Sequence, residues 1–291
     1  MSVPFRALGG DLIWWCKSSA VHTAVTLWSG IDDMHLLGSQ APPESEVLFH
    51  LHDPSGKLCN SWTQTMLPGV PLSVDSRDHP QTPPEGVLAI FPTSSQETAD
   101  SAPQKYRRFY SMVDWYSEAG DLVSLHSDHS VSPAVKPIEF TEIVFLETAE
   151  QKTFLVLVNG AEAQAPGSVA LRVRNLAGEI RSAVYAPAMA PFSVHKLRLG
   201  ELFPGLPEFC GGQHATLEGK FDCRHLFSRP YVMTEGQHLA GYHGGDRYQW
   251  TGIPRFLYKA LGRGEVNPMV ALHSGALTHR QSAQQPWRSG R

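Results

Sequence analysis

Along most of this chain apolar and polar residues alternate in stretches of five to eight, rich in β-branched and aromatic side chains. That is the pattern of strands buried on one face. It predicts strands near His22–Ser29, Glu46–His52, Leu72–Asp75, Gly86–Phe91, Phe109–Tyr116 and Asp121–His126. A second series follows near Glu139–Glu147, Thr153–Val158, Val169–Arg174, Glu179–Tyr185, Phe192–Leu197, His214–Lys220, Leu226–Thr234 and His238–His243. Helical periodicity beyond two turns is absent until Ile253–Leu261. Short strands at this spacing, punctuated by turns, are the signature of antiparallel sandwiches.

The two series carry the same punctuation. Ala24–Gly30 (AVTLWSG) is matched by Phe154–Gly160 (FLVLVNG), and Phe49–Lys57 (FHLHDPSGK) by Leu171–Glu179 (LRVRNLAGE). A proline-flanked approach recurs at Pro68–Ser76 and Met189–Leu197, and each series ends on an apolar residue and histidine, at Leu125–His126 and Tyr242–His243. The expectation is an all-β chain of two tandem antiparallel β-sandwich domains related by internal duplication. Residues 1–130 form the first and 138–252 the second, joined by a linker at 131–137. A C-terminal extension at 253–291 is expected to be partly disordered. In this alignment His195 falls where the first copy has Asp75.

Composition adjusts this picture only slightly. Of 291 residues, 42% are hydrophobic and 18% charged, which suits a globular chain and not a disordered one. The net charge of −4 comes without a basic block, so no nucleic-acid footprint is visible. No apolar run reaches the ~18–20 residues that span a bilayer. The start of the chain lacks the charged and apolar regions of a secretory signal. Cys16, Cys59, Cys210 and Cys223 have no CxxC spacing and read as reduced thiols of a cytoplasmic protein.

Candidate chemistry centres on histidine. His50 and His52 are two apart on a predicted strand and so share a face, a spacing that can present two imidazoles to a divalent metal. The second copy has Arg172 and Arg174 there, so a polar stripe explains both copies equally well. His126, Asp128 and His129 lie within four residues, and His243 and Asp246 recur at the end of the second copy. Imidazole titrates near neutral pH and a nearby carboxylate can orient it, so these residues form a candidate ligand-binding group. Arg229, with Tyr231, could contact an anionic or sugar ligand. Trp14, Trp15, Trp28, Trp62, Trp115 and Trp250 could stack on sugars, although core packing is the commoner role of tryptophan. Asp75, Arg77, Asp78 and His79 read as a turn. Serine-hydrolase elbows, phosphate loops and HExxH are absent from the sequence.

Ala186–Gly205 (APAMAPFSVHKLRLGELFPG) and Leu239–Tyr248 (LAGYHGGDRY), with an echo at Pro68–Asp78 and Val123–Ser130, resemble the sensory rhodopsin transducer type of bacterial β-sandwich. The resemblance covers about half of each domain. It implies one sandwich fold used twice, which oligomerises and binds partners without catalysing. The functional expectation is therefore a binding or assembly module recognising a carbohydrate, peptide or protein. The alternative is a metal-binding protein or metal-dependent enzyme built on the histidines.

Overall fold

In the computed structural model, residues 11–18, 21–29, 45–67, 69–93, 109–118, 120–127, 138–160, 163–221, 230–235, 240–243 and 245–246 are described. Residues 1–245 form one compact unit and 246–291 a second. Of the second, only Asp246 is described. The expected linker and C-terminal extension lie outside the described residues.

The first half holds β1 (Asp11–Cys16), β2 (His22–Ser29), β3 (Ser45–His52), β4 (Leu58–Met66), β5 (Leu72–Asp75), β6 (Glu85–Thr93), β7 (Phe109–Tyr116) and β8 (Leu122–Ser127). The second holds β9 (Ile138–Leu146), β10 (Lys152–Val158), β11 (Val169–Arg174), β12 (Ile180–Tyr185), β13 (Val194–Arg198), β14 (His214–Phe221), β15 (Tyr231–Glu235), β16 (Ala240–His243) and β17 (Gly245–Asp246). Two short helices, α1 (Leu199–Leu202) and α2 (Leu206–Cys210), follow β13. No helix among the described residues is long and apolar enough to cross a membrane.

Four antiparallel sheets result. The first half forms β1-β6-β3-β4 and β5-β2-β7-β8; the second forms β12-β11-β14-β9-β17 and β13-β10-β15-β16. Read strand by strand, the orders correspond: β1 to β8 take the places that β9 to β16 take in the second half. The ladders agree residue by residue. His50 lies opposite Ser61 and Ala89, and Arg172 opposite Ser182 and Glu218. Even the break after β5 recurs: a 3-10 turn occupies Ser76–Asp78 where α1 follows β13.

The ladders correct one alignment. Val25 pairs with Val74 and Leu155 with Leu197, which puts Arg198, not His195, in the place of Asp75. The loop before β13 carries three extra residues, and proline punctuation alone could not reveal them.

The sheets stack so that the halves share a core. Along β10, Leu155 and Leu157 pack with the second-half cluster, whereas Val156 and Val158 join the cluster built on β1, β2, β3, β6 and β7. Val194, Tyr231 and Met233 join that first cluster too. The sheet β13-β10-β15-β16 is therefore an inner layer with both faces covered, and so is β1-β6-β3-β4. Every residue of β1 is buried, Asp11 included. Ser111 Oγ of β7 donates to that carboxylate at 2.5 Å, so the buried charge has a donor. We call the plane between the inner sheets the seam.

This layering explains why β1 escaped the sequence pattern. A strand buried on both faces reads as an unbroken apolar run and does not alternate. β4 escaped for the opposite reason: it is an edge strand with five polar residues in nine.

Trp14 and Val144 occupy equivalent rungs, opposite Val87 and Thr216. Trp14 faces the seam at 1% exposure while Val144 is 42% exposed on the free side of its sheet. Trp14→Ala should therefore cost about 3–5 kcal/mol, and Val144→Ala about 1 kcal/mol or less. Chemical denaturation of the two variants checks the difference.

Candidate functional site

Successive rungs of the first inner sheet bring Leu12, Ala89 and His50 onto one line and Trp14, Val87 and His52 onto the next. Both histidines therefore share the face turned to the seam, as their spacing predicts. Their rings lie 6.2 Å apart between centroids. His50 meets Phe91 edge-on at 5.5 Å; His52 lies flat against Phe192 of the second half, at 4.5 Å and 19°. His52 is 6% exposed.

A turn organises this corner. Asp53 Oδ1 accepts from the Ser55 and Lys57 amides, at 2.9 and 3.1 Å, and from Ser55 Oγ at 2.6 Å. These bonds hold the Asp53 carboxyl below its ordinary range, the Ser55 hydroxyl contributing most. Gly56, at φ +92°, closes the turn, and its carbonyl bonds His52 Nδ1 at 2.9 Å. A carbonyl only accepts, so Nδ1 carries the hydrogen and the lone pair of the neutral ring is on Nε2. Among the described residues, His52 Nε2 is buried with no hydrogen-bond partner. Burial keeps both imidazoles on the neutral side: the His50 and His52 pKa values fall below 6.5, desolvation being the largest cause in each. The Gly56 carbonyl partly offsets the shift at His52.

The turn docks directly on the second half. Val194 N donates to Pro54 O at 3.1 Å. A Cβ built on Gly56 would stand 2.0 Å from Pro191 O. Phe192 itself adopts φ +56°, the only non-glycine described with positive φ, and its amide donates to Gly160 O at 2.7 Å. That strained residue, wedged against His52, marks a built contact. Elsewhere Tyr231 meets Trp115 of the outer strand β7 edge-on at 4.8 Å, and on the seam Lys196 sits over the rings of Phe154 and Trp14 while pairing with Glu235.

The other predicted residues fall in different places. His126 pairs with Met112 and His243 with Tyr231, which are equivalent rungs of the two halves. The strands that carry them, β8 and β16, lie against each other. Asp246 is in β17. Asp128, His129 and Arg229 lie outside the described residues, as do Trp250 and Cys223. No group of three metal-ligating side chains occurs among the described residues. Tyr231, expected near a ligand, is a core residue instead. Trp14, Trp15 and Trp115 are fully buried, and Trp62 stacks on Phe49 at 5.1 Å.

Asp75 is a turn residue, as expected. It caps the 3-10 turn and accepts the Arg77 fork and the Tyr116 hydroxyl. Burial would raise the Asp75 carboxyl, but these bonds outweigh it and hold it low. Tyr116 is pushed up to about 12, by burial first and Asp75 second. His195 accepts from or donates to the Tyr185 hydroxyl at 2.7 Å.

Sequence reasoning missed Gly56, Pro191 and Phe192 as seam residues. The available signal was the disagreement between copies, because HLH stands where the second copy has RVR. No protein-family model matches this chain, and no curated protein matches it.

The equivalent turn of the second copy supplies a control. Asn175 accepts from Glu179 N as Asp53 does from Lys57 N, and Gly178 has φ +85°. Nothing lies within 4 Å of a Cβ built there. Gly178→Ala should cost about 1–2 kcal/mol for the left-handed backbone alone. Gly56→Ala should lose about 3 kcal/mol or more, because it adds the clash with Pro191. Equal losses in the two unfolding curves would show that the turn does not bear on the seam.

Proposed function

We propose that this protein is a non-catalytic binding or assembly module whose partner is another protein surface. One observation carries the reading: the free face of the second outer sheet, β12-β11-β14-β9-β17. It is the topological counterpart of the seam face of β1-β6-β3-β4, but nothing described here packs over it as the second half packs over the first. Val184, Ile180 and Val144 stand 61%, 38% and 42% exposed on this face. Between them Arg172 Nη2 donates to Glu218 Oε2 at 2.5 Å, with side-chain exposures of only 13% and 7%.

A sheet face with exposed apolar residues around a central, desolvated ion pair suits a flat protein partner. The resemblance to transducer-type sandwiches points the same way, towards partner binding. In this reading the ion pair fixes register and the apolar residues supply area, consistent with the division between specificity and affinity at interfaces.

A second reading rests on His52 Nε2, a buried lone pair without a donor, beside the neutral His50. Two such imidazoles could serve a divalent metal, and a backbone carbonyl on the far nitrogen is how proteins orient such ligands. Metal analysis of the purified protein decides it: stoichiometric zinc, iron or copper lost in His50→Ala/His52→Ala would favour this reading over the first.

Immobilised wild type and an Ile180→Glu/Val184→Glu variant test the module. The expected result is a stoichiometric protein partner that binds purified wild type and whose Kd rises at least tenfold with the variant. Equal binding by both forms, or failure of wild type to retain any partner, would overturn the proposal.

A further inference from the structure

The seam joins two unlike faces, one from β1-β6-β3-β4 and one from β13-β10-β15-β16. By strand order, β12-β11-β14-β9-β17 is the counterpart of the first sheet and β5-β2-β7-β8 the counterpart of the second. The layers stack as β5-β2-β7-β8, β1-β6-β3-β4, β13-β10-β15-β16 and β12-β11-β14-β9-β17. Each kind of seam face is therefore left free once, at opposite ends of the stack. Among the described residues no sheet lies over either.

The corner that grips the seam, where the Asp53–Lys57 turn meets residues 191–194, has both its parts at these ends. The Asn175–Glu179 turn puts Leu176 in the place of Pro54, at 73% exposure. At the other end, the ladders put Gly69, Val70 and Pro71 in the places of Phe192, Ser193 and Val194. The backbone takes the same course there. Gly69 has φ +70° against +56° at Phe192, and Val70 N donates to Leu67 O at 3.2 Å as Ser193 N does to Ala190 O at 3.2 Å. Val70 is 53% exposed, and nothing lies within 4 Å of a Cβ built on Gly69 or on Gly178. Both parts of the corner are built, and both are open.

The faces also match in apolar area and in charge. Apart from Leu58, every large apolar side chain exposed among the described residues belongs to one of these ends. Leu176, Ile180, Val184 and Val144 lie at the second-half end, and Leu67, Val70 and Leu122 at the first-half end. Arg174 holds the place of His52 on one face, and Asp114 the place of Met233 on the other. Neither has an ion-pair partner among the described residues. Opposite charges on the two faces favour unlike pairing and oppose like pairing.

We propose, resting on the reading of the second-half face as a partner surface, that its occupant is a second molecule of this chain. The free face of β12-β11-β14-β9-β17 docks on the free face of β5-β2-β7-β8 of the next molecule, repeating between molecules the contact that the seam makes within one. At the corner Leu176 of one molecule meets Val70 of the next. Pro71 has no N–H, so an apolar contact stands where the Pro54–Val194 hydrogen bond holds the seam. Because unlike faces pair, each added molecule again presents one free face of each kind, and association runs head to tail beyond the dimer.

Sedimentation velocity of the purified full chain over ~1–100 μM reads this association, since protein interfaces of ordinary size bind at micromolar Kd or tighter. Ile180→Glu/Val184→Glu closes the second-half face. Thr26→Glu/Val70→Glu closes the first-half face, Thr26 holding the place of the seam residue Val156. Wild type should grow with concentration from monomer to dimer and larger species. Each variant alone should stay monomeric. Mixed in equal amounts, the two should form a dimer that grows no further, because one intact face of each kind remains. Circular dichroism matching wild type establishes that each variant is folded, and Leu176→Glu or Leu122→Glu replaces one that is not. A wild type that stays monomeric throughout would overturn self-docking and leave the partner reading to stand on capture of a different protein. Self-association of Thr26→Glu/Val70→Glu alone would show like faces pairing and equally refute the head-to-tail contact. So would variants that fail to dimerise on mixing. An Ile180→Glu/Val184→Glu protein that assembles as wild type does would remove the second-half face from the contact, and with it the partner reading as well.

Discussion

The structure depends on burial of both faces of β1-β6-β3-β4. One face of this sheet closes the first sandwich; the other is covered by the second half. Trp14, Val87, Ala89 and Phe91 are as dry as any core residues although they lie between the two halves. The interface is thus a continuation of the hydrophobic core, and removing apolar area from water there is the dominant favourable term. The polar contacts of the seam, from the Pro54 carbonyl to the Lys196 ion pair, fix how the layers are aligned.

This one constraint accounts for the differences between corresponding positions of the two halves. Corresponding rungs face the seam in one half and the free side of the sheet in the other. Ala89 becomes Glu218, Trp14 becomes Val144, and His50 and His52 become Arg172 and Arg174. On the other sheet pair Thr26 becomes Val156 and Asp114 becomes Met233, because there the second copy faces inwards. Residues with no alternation in composition to recommend them are thereby explained by layer position alone.

Much of the fold was legible in the sequence because most strands are covered on one side and exposed on the other. Of the fourteen strands anticipated, thirteen, such as His22–Ser29 and Val169–Arg174, match to within two residues at each end; Leu226–Thr234 begins earlier than the observed β15 (Tyr231–Glu235). The strands at the two extremes were not legible: β1, an unbroken apolar run after Asp11, and β4, a mostly polar edge strand. The short helices after β13 are below the length at which periodicity speaks. Histidine spacing correctly placed His50 and His52 on one face. It could not say that the face was internal, since that depends on contacts with residues 191–194, far away in sequence. The late histidines His126 and His243 occupy corresponding rungs of the two halves, as their alignment in the sequence predicts.

The doubly covered sheet also sets a problem of timing during synthesis. When translation reaches Ser127 the first sandwich has all its strands, yet the Trp14 side of its inner sheet has no cover. The strands of the sheet that will cover it end at His243, more than 100 residues later. At about 5–20 residues per second, that interval lasts on the order of 5–20 s. For that time the nascent chain presents a flat, apolar sheet surface, the kind of surface that chaperones bind and that aggregates nucleate on. The layering that gives the mature protein one continuous core therefore leaves one face of its first half in water until the second half arrives.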